Sequence, residues 1–339
     1  MTTELLSILQ INTSDQGGGA ERVARDFHNQ YSVRNHDSLF LVGRKKSETS
    51  NVIEIPQTRW RAFWVALPKF ADDISNNNLG KYLKPITNRL ADPFHYYAKV
   101  LGYENYHFPV SRKLVDKLIN KVDVVHFHNL HGDYFDLRYL PKLSLNQPTL
   151  ITLHDEYLYT GHCAYTLGCD RWKIGCGNCP HLDVYPAIRR DATRHNWRVK
   201  RRILTKSNIT LVTPSQWLAS RVRQSFLKDK EVHVIPNGVD QSIFKPGEKY
   251  KAREELDLPK DAFILLYAAS RGRKSDFKDY EMLDRVVENL SKYETKKPIV
   301  FLALGGDKYS RKTIGNNILI ETPYIKEQSQ VVKYYQACD

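Results

Sequence analysis

Four groups of residues in this 339-residue chain combine chemically capable side chains with a spacing that uses them. Gly17-Gly18-Gly19-Ala20-Glu21 stand between an apolar run and an amphipathic segment. Glycines at a strand-to-helix turn let the backbone approach a phosphate or a sugar, and a helix start offers free N–H groups and partial positive charge. A tight loop is the plain alternative, because the spacing matches neither the dinucleotide fingerprint nor a P-loop. His126, His128 and His131 follow one apolar run, and His154-Asp155-Glu156 follow another. A histidine beside an acid can hydrogen-bond a hydroxyl or stabilise charge near a reacting centre; the competing reading is a structural histidine at a strand edge. His154 is the strongest of them because it directly follows Thr149–Leu153.

The third group is Cys163, Cys169, Cys176 and Cys179, a C-x5-C-x6-C-x2-C array with glycines bending the loop. In a reducing compartment such clustering favours a closed structural zinc site, with His162 or His181 as substitute ligands. Two disulfides are the alternative. Cys338 stands apart and is expected to pack as a small apolar side chain. The fourth group follows another buried-type run: Ser270-Arg271-Gly272-Arg273-Lys274, then Lys278. Cations on a glycine-containing loop suit a diphosphate, and a solvated mixed-charge loop with Asp276 and Asp279 is the alternative. Gly305-Gly306 reads as a further close approach or as a plain turn.

The elements that must position these groups are legible as alternation. Apolar runs at Leu5–Ile11, Ser38–Val42, Val122–His126, Thr149–Leu153, Ile209–Thr213 and Val232–Ile235 predict strands. Phe263–Ala269, Ile299–Leu304 and Ile318–Ile320 predict a second series. Helices are expected at Ala20–Arg34, Ser111–Asn120, Trp217–Phe226, Tyr280–Lys292 and Ser329–Ala337. Strands apolar throughout and separated by helices indicate an α/β fold with parallel sheets covered on both faces. An aromatic and basic insertion, 57–110, and the cysteine loop, 160–182, interrupt the first domain. Pro236–Pro259 reads as a linker, placing a first domain at 1–245 and a second at 246–339. The second has about 80 residues after the linker, fewer than a usual domain, so it is expected to be incomplete in this chain.

Composition narrows the class. With 41% hydrophobic and 26% charged residues the chain is an ordinary globular protein. No apolar run is long enough for a membrane span, and the N-terminus does not read as a signal peptide, so a cytoplasmic location is expected. The net charge of +13 suits phosphorylated small molecules, an anionic membrane surface or nucleic acid. The basic run Arg189 to Lys206 spreads around a helix without forming a stripe, so no nucleic-acid partner is expected.

Taken together, several motifs resemble the retaining nucleotide-sugar glycosyltransferases with two facing Rossmann domains, the GT-B fold. These are Gly17–Ala20, Val125-His126-Phe127-His128, Thr152-Leu153-His154-Asp155 and Thr160-Gly161-His162-Cys163-Ala164-Tyr165. Gly175-Cys176-Gly177, Cys179-Pro180, Thr213-Pro214-Ser215-Gln216-Trp217-Leu218 and Val234-Ile235-Pro236-Asn237-Gly238-Val239-Asp240 extend the likeness. The chain is similar in particular to group 1, family-four-like bacterial enzymes of exopolysaccharide and colanic-acid-type assembly. The resemblance implies a nucleotide diphosphate sugar donor, a saccharide or lipid-linked saccharide acceptor, and no catalytic metal. It implies Gly18 and Gly19 near the donor phosphate or the acceptor, His154 as the catalytic residue beside the donor sugar, and Arg273 with Lys278 on the diphosphate. Asp279 stands where a glycine usually follows that lysine, which leaves Arg271 as a rival for the arginine role. His126, His128 and Asp155 are acceptor-side candidates. The family's paired donor-binding glutamates are unassigned, since Glu281 and Glu288 are seven apart on a helix and expected to face solvent. The insertion either rests on a membrane surface or simply covers the first sheet. A non-catalytic saccharide- or partner-binding protein and a nucleotide-sugar epimerase are the rival readings.

Overall fold

The computed structural model describes residues 4–75, 79–104, 106–269, 279–293 and 295–339. The chain divides into two compact units, Met1–Asn237 and Gly238–Asp339.

In the first unit the strands are β1 (Ser7–Ser14), β2 (Asp37–Arg44), β3 (Val52–Glu54), β4 (Val124–Phe127), β5 (Thr149–Thr152), β6 (Thr210–Thr213) and β7 (Val232–Val234). They form one sheet in the order β3-β2-β1-β4-β5-β6-β7, and every pair is parallel. Near-continuous burial along β1 explains its apolar run, since a central parallel strand meets helices on both faces. The helices are α1 (Gly19–Val33), α2 (Arg59–Ser75), α3 (Leu79–Ala91), α4 (Pro93–Leu101), α5 (Pro109–Leu118), α6 (Leu140–Asn146), α7 (Thr193–Lys206) and α8 (Gln216–Gln224). In α8, Ser215 caps the start by accepting from Leu218 N at 3.3 Å, and Leu218, Ala219 and Val222 turn inward. The main core gathers Leu9, Ile11, Val125, Phe127, Ile151 and Leu211 with the helices above them.

The insertion is helical, supplying α2, α3 and α4. Asp92 caps α4 by accepting from His95 N, and Gly102 ends it with φ at 79°. A side chain at Gly102 would meet the Arg190 carbonyl oxygen at 1.9 Å, so the insertion lies backbone to backbone against the chain entering α7. Lys200 of α7 is fully buried, donating to Glu104 Oε1 at 3.0 Å and the Tyr157 carbonyl at 2.9 Å. Asn196, also on α7, donates to the Gly102 carbonyl and accepts from Glu104 N. The basic run is therefore not all solvated: one lysine of it anchors the insertion.

The second unit contains α9 (Lys249–Glu255), β8 (Phe263–Ala268), α10 (Tyr280–Leu290), β9 (Ile299–Gly306), β10 (Ser310–Ile314), β11 (Asn317–Pro323) and α11 (Gln328–Ala337). Its sheet runs β10-β11-β9-β8. β8, β9 and β11 are parallel, and β10 is an antiparallel edge strand. The sequence reading missed β10 because Ser-Arg-Lys-Thr-Ile carries the polar, largely exposed pattern of an edge. The expected linker is likewise more than a tether. Arg253 of α9 is buried against α11, donating to the Ala337 carbonyl at 2.9 Å and to Asp339 Oδ2 at 2.6 Å. Cys338 packs on this unit's core as expected, with its Sγ on the Tyr334 carbonyl at 2.8 Å. Glu281 and Glu288 are exposed, as the sequence reading anticipated.

Candidate active site

β1 and β4 are sheet neighbours whose connections leave in opposite directions, so the crevice beyond their C-terminal ends is the topological switch point, where open α/β sheets place ligands. The glycine turn leaves β1 there, with Gly18 as the N-cap of α1 and no side chain capping the helix. A Cβ on Gly19 would meet nothing within 4 Å, and one on Gly18 would meet only Glu21 Oε2, at 3.2 Å. The fold itself therefore does not demand glycine at 19; the turn leaves open space above a helix N-terminus.

Next to it lies a histidine group. His126 on β4 is buried, with Nε2 at 2.8 Å from Thr152 Oγ1 and Nδ1 at 3.4 Å from the Tyr31 hydroxyl. His128 is equally buried; its Nδ1 lies 3.1 Å from His154 Nε2 and its Nε2 faces the Gln10 amide. His154 is the partly exposed member. Burial pulls His126 down to about 4, reinforced by His154, and holds His128 well below the usual imidazole range. His154 also falls to about 4 through burial, partly offset by the carboxylates of Asp155 and Glu21. Glu21 belongs to the first turn of α1, so the glycine turn and His154 share one electrostatic neighbourhood. All three rings are neutral at physiological pH.

Direct saccharide contact does not follow for His126 or His128, because both are buried with both ring nitrogens committed inside the protein. Asp155 is largely occupied as well: Oδ2 faces His131 Nε2 at 3.0 Å, and Oδ1 accepts from Tyr157 N at 2.9 Å. Arg271, Arg273 and Lys278 lie outside the described residues.

The cysteine loop departs from expectation. Cys163, Cys169, Cys176 and Cys179 all line one small cavity of about 20 Å³, together with His162. All are free thiols, so neither disulfide forms. Among the described residues no group of three or more His, Cys, Asp or Glu side chains is placed to hold a metal ion, so the expected zinc cluster is not supported. Burial pushes the Cys163 thiol up to about 12 and the Cys176 thiol up to about 11. What fixes the loop is a buried carboxylate. Glu156 accepts from Thr166 N at 2.8 Å and from the Tyr159 hydroxyl at 3.0 Å, and it pairs with Arg221 of α8. Arg221 in turn lies over the rings of Trp172 and Trp217. Sequence spacing carries no signal for this clamp, because its partners are 65 residues apart.

A second feature opens at the same end of the sheet. The ends of β2 and β3, the starts of α2, α4 and α5, and the Gly132–Tyr134 loop enclose a cavity of about 610 Å³. Trp60 and Phe94 line it and are largely exposed, beside Arg44, Arg61, His95 and Asp133. No single motif announces this cavity, since its walls come from five separate stretches.

Comparison with known proteins fits this geometry. The model of glycosyltransferase family 4 matches residues 17–242. An Escherichia coli K12 protein named as a colanic acid biosynthesis glycosyl transferase, WcaC, is 27% identical over 249 residues, which are 70% of this chain and 55% of that protein. The chain thus spans about half the length of this relative. Sucrose-phosphate synthase from Thermosynechococcus elongatus superposes with a TM-score of 0.52 at 14% identity, covering 98% of this chain and 74% of that one. Anabaena HepE, solved in complex with UDP-glucose, gives 0.51 at 14% identity, covering 98% and 72%. The architecture is that of GT-B glycosyltransferases, with two Rossmann-like units.

Proposed function

The chain belongs to glycosyltransferase family 4, and from that premise we propose that it transfers a sugar from a nucleotide diphosphate sugar to a saccharide acceptor of cell-surface polysaccharide assembly. The observation that carries the reading is the meeting of an open, glycine-lined helix N-terminus with a neutral, partly exposed histidine at the switch point. A neutral imidazole suits a sugar hydroxyl as a hydrogen-bond partner. The free N–H groups at the start of α1 suit an anionic or strongly polar ligand group. Arg271, Arg273 and Lys278 are proposed to neutralise the departing diphosphate, which removes the need for a catalytic metal. Retention of anomeric configuration is part of the proposal.

The acceptor is proposed to enter the 610 Å³ cavity, where the Trp60 and Phe94 rings offer apolar faces and the surrounding charged groups offer hydroxyl partners. A lipid-linked acceptor agrees with the insertion's exposed Phe63, Phe70 and Tyr82 and its Lys69, Lys81 and Lys84, a composition suited to an anionic lipid surface. No described helix is long and apolar enough to cross a membrane.

The protein is to be incubated with UDP-, GDP- and ADP-sugars, with and without saccharide acceptors, and followed by nucleotide release and product NMR. Acceptor-dependent transfer with retained configuration is expected. Conversion of the nucleotide sugar without acceptor would identify an epimerase, and failure to bind any member of the panel would leave a non-catalytic binding protein. Gly19→Val is expected to weaken donor affinity at least about tenfold while the melting temperature stays within about 2 °C, since the added side chain enters open space.

A further inference from the structure

The polar chain behind His154 is directional, and its direction starts in the backbone of α1. Gln10 on β1 is wholly buried, with its amide set into the helical ladder between Ala24 and His28. A carbonyl oxygen can only accept and a backbone N–H can only donate, so this environment admits one amide orientation. The Gln10 nitrogen donates to the Ala24 carbonyl at 3.1 Å, and its oxygen accepts from His28 N at 2.9 Å. Turned the other way, its oxygen faces acceptors and its nitrogen a donor.

The rest follows by elimination. The second hydrogen of the Gln10 amide points at His128 Nε2, 3.0 Å away, so that nitrogen must carry a lone pair. A neutral imidazole has one N–H, which places the His128 proton on Nδ1. Nδ1 lies 3.1 Å from His154 Nε2 while the ring centroids are 5.4 Å apart and the planes are inclined by 21°, so the rings meet edge to edge. His128 Nδ1–H therefore donates to His154 Nε2, and the proton of neutral His154 must sit on its own Nδ1. Low proton affinity throughout this buried group keeps a cationic form from scrambling the order.

We propose that Gln10 and His128 are positioning residues that hold His154 as its Nδ1–H tautomer, presenting that N–H as a donor to a hydroxyl oxygen of the bound sugar. Among the described residues nothing accepts from His154 Nδ1, so the proton is available. Without the relay, histidine prefers the Nε2–H form, which would turn a lone pair toward the ligand. The consequence for the sugar rests on the glycosyltransferase reading; the tautomer itself does not.

The experiment is ¹⁵N NMR of histidine-labelled protein at pH 7.5, with the His154 and His128 resonances assigned from His154→Asn and His128→Asn. Both residues are expected to show the Nδ1–H pattern in the unaltered chain, and an Nε2–H pattern at His154 overturns the proposal without any variant having to fold. Gln10→Met removes the donor to His128, and a mixed or reversed His154 pattern is expected. Gln10→Glu supplies an acceptor instead, which is expected to reverse both tautomers. An unchanged His154 pattern in a folded Gln10→Met protein also overturns the proposal. In the transfer assay Gln10→Met is expected to lower kcat about tenfold with KM for the nucleotide sugar changed less than about twofold. A loss that only tracks the fall in melting temperature would assign Gln10 a merely structural role. Nδ1–H tautomers in a protein that transfers no sugar would uphold the relay and refute the glycosyltransferase reading alone.

Discussion

Replacing Lys200 with methionine tests how the insertion is held on the first unit. The ammonium is fully buried, 3.0 Å from Glu104 Oε1, 2.9 Å from the Tyr157 carbonyl and 3.8 Å above the Tyr157 ring. Methionine fills much of the volume but leaves Glu104 as a largely buried carboxylate without its cation. Removing one member of a buried pair costs about 3–5 kcal/mol, well above the roughly 0–1 kcal/mol of a surface pair. For a unit of this size each kcal/mol moves the midpoint by about 2–4 °C, so the first thermal transition should fall by about 6–20 °C. Calorimetry of Lys200→Met, Glu104→Gln and the double variant measures it. The double variant should be about 1–3 kcal/mol more stable than the sum of the single losses, because it leaves no unpaired charge. Added salt should change these differences little, since the ammonium is fully buried and a buried pair is screened much less than a surface one. A fall of less than about 2 °C for Lys200→Met, or strict additivity, would refute the reasoning.

Three further outcomes follow from the same physics. His126 and His154 have folded values near 4, below the value of about 6.5 of the unfolded chain, so the unfolded state binds more protons between those limits. Their stabilisation is complete above pH 6.5 and is lost as pH falls toward 4, by roughly 1 kcal/mol per pH unit for each; urea midpoints at pH 7, 6 and 5 check this, and a flat profile contradicts it. Cys163 and Cys176, raised to about 12 and 11, should be alkylated by iodoacetamide at pH 8 at least about 100-fold more slowly than a free thiol, as mass spectrometry of timed samples will show. Gly161→Ala would bring a Cβ to 2.6 Å from both Cβ and the carbonyl oxygen of Thr193, so a loss of about 1–3 kcal/mol in denaturant titration is expected, unlike the nearly neutral Gly19→Ala.

Apolar runs separated by amphipathic segments determined the strands of both units to within a few residues, except the short β3 and the edge strand β10, because a parallel strand covered on both faces must be apolar along its length. The glycine turn and His154 were legible for the same reason: each directly follows such a run, and strand ends at a switch point are where ligands bind. Three matters needed the tertiary structure. Which histidine meets solvent depends on what covers each ring, and His126 and His128 differ from His154 only in that. The clustering of four cysteines in one short loop suggested a metal site, whereas Glu156 and Arg221, far apart in sequence, do the fixing. Gln10 reads as one polar residue in an apolar strand, and its place between Ala24 and His28 of α1 gives it a role. Local sequence sets periodicity and turn chemistry, but burial and hydrogen-bond direction are set by neighbours that only the folded chain brings together.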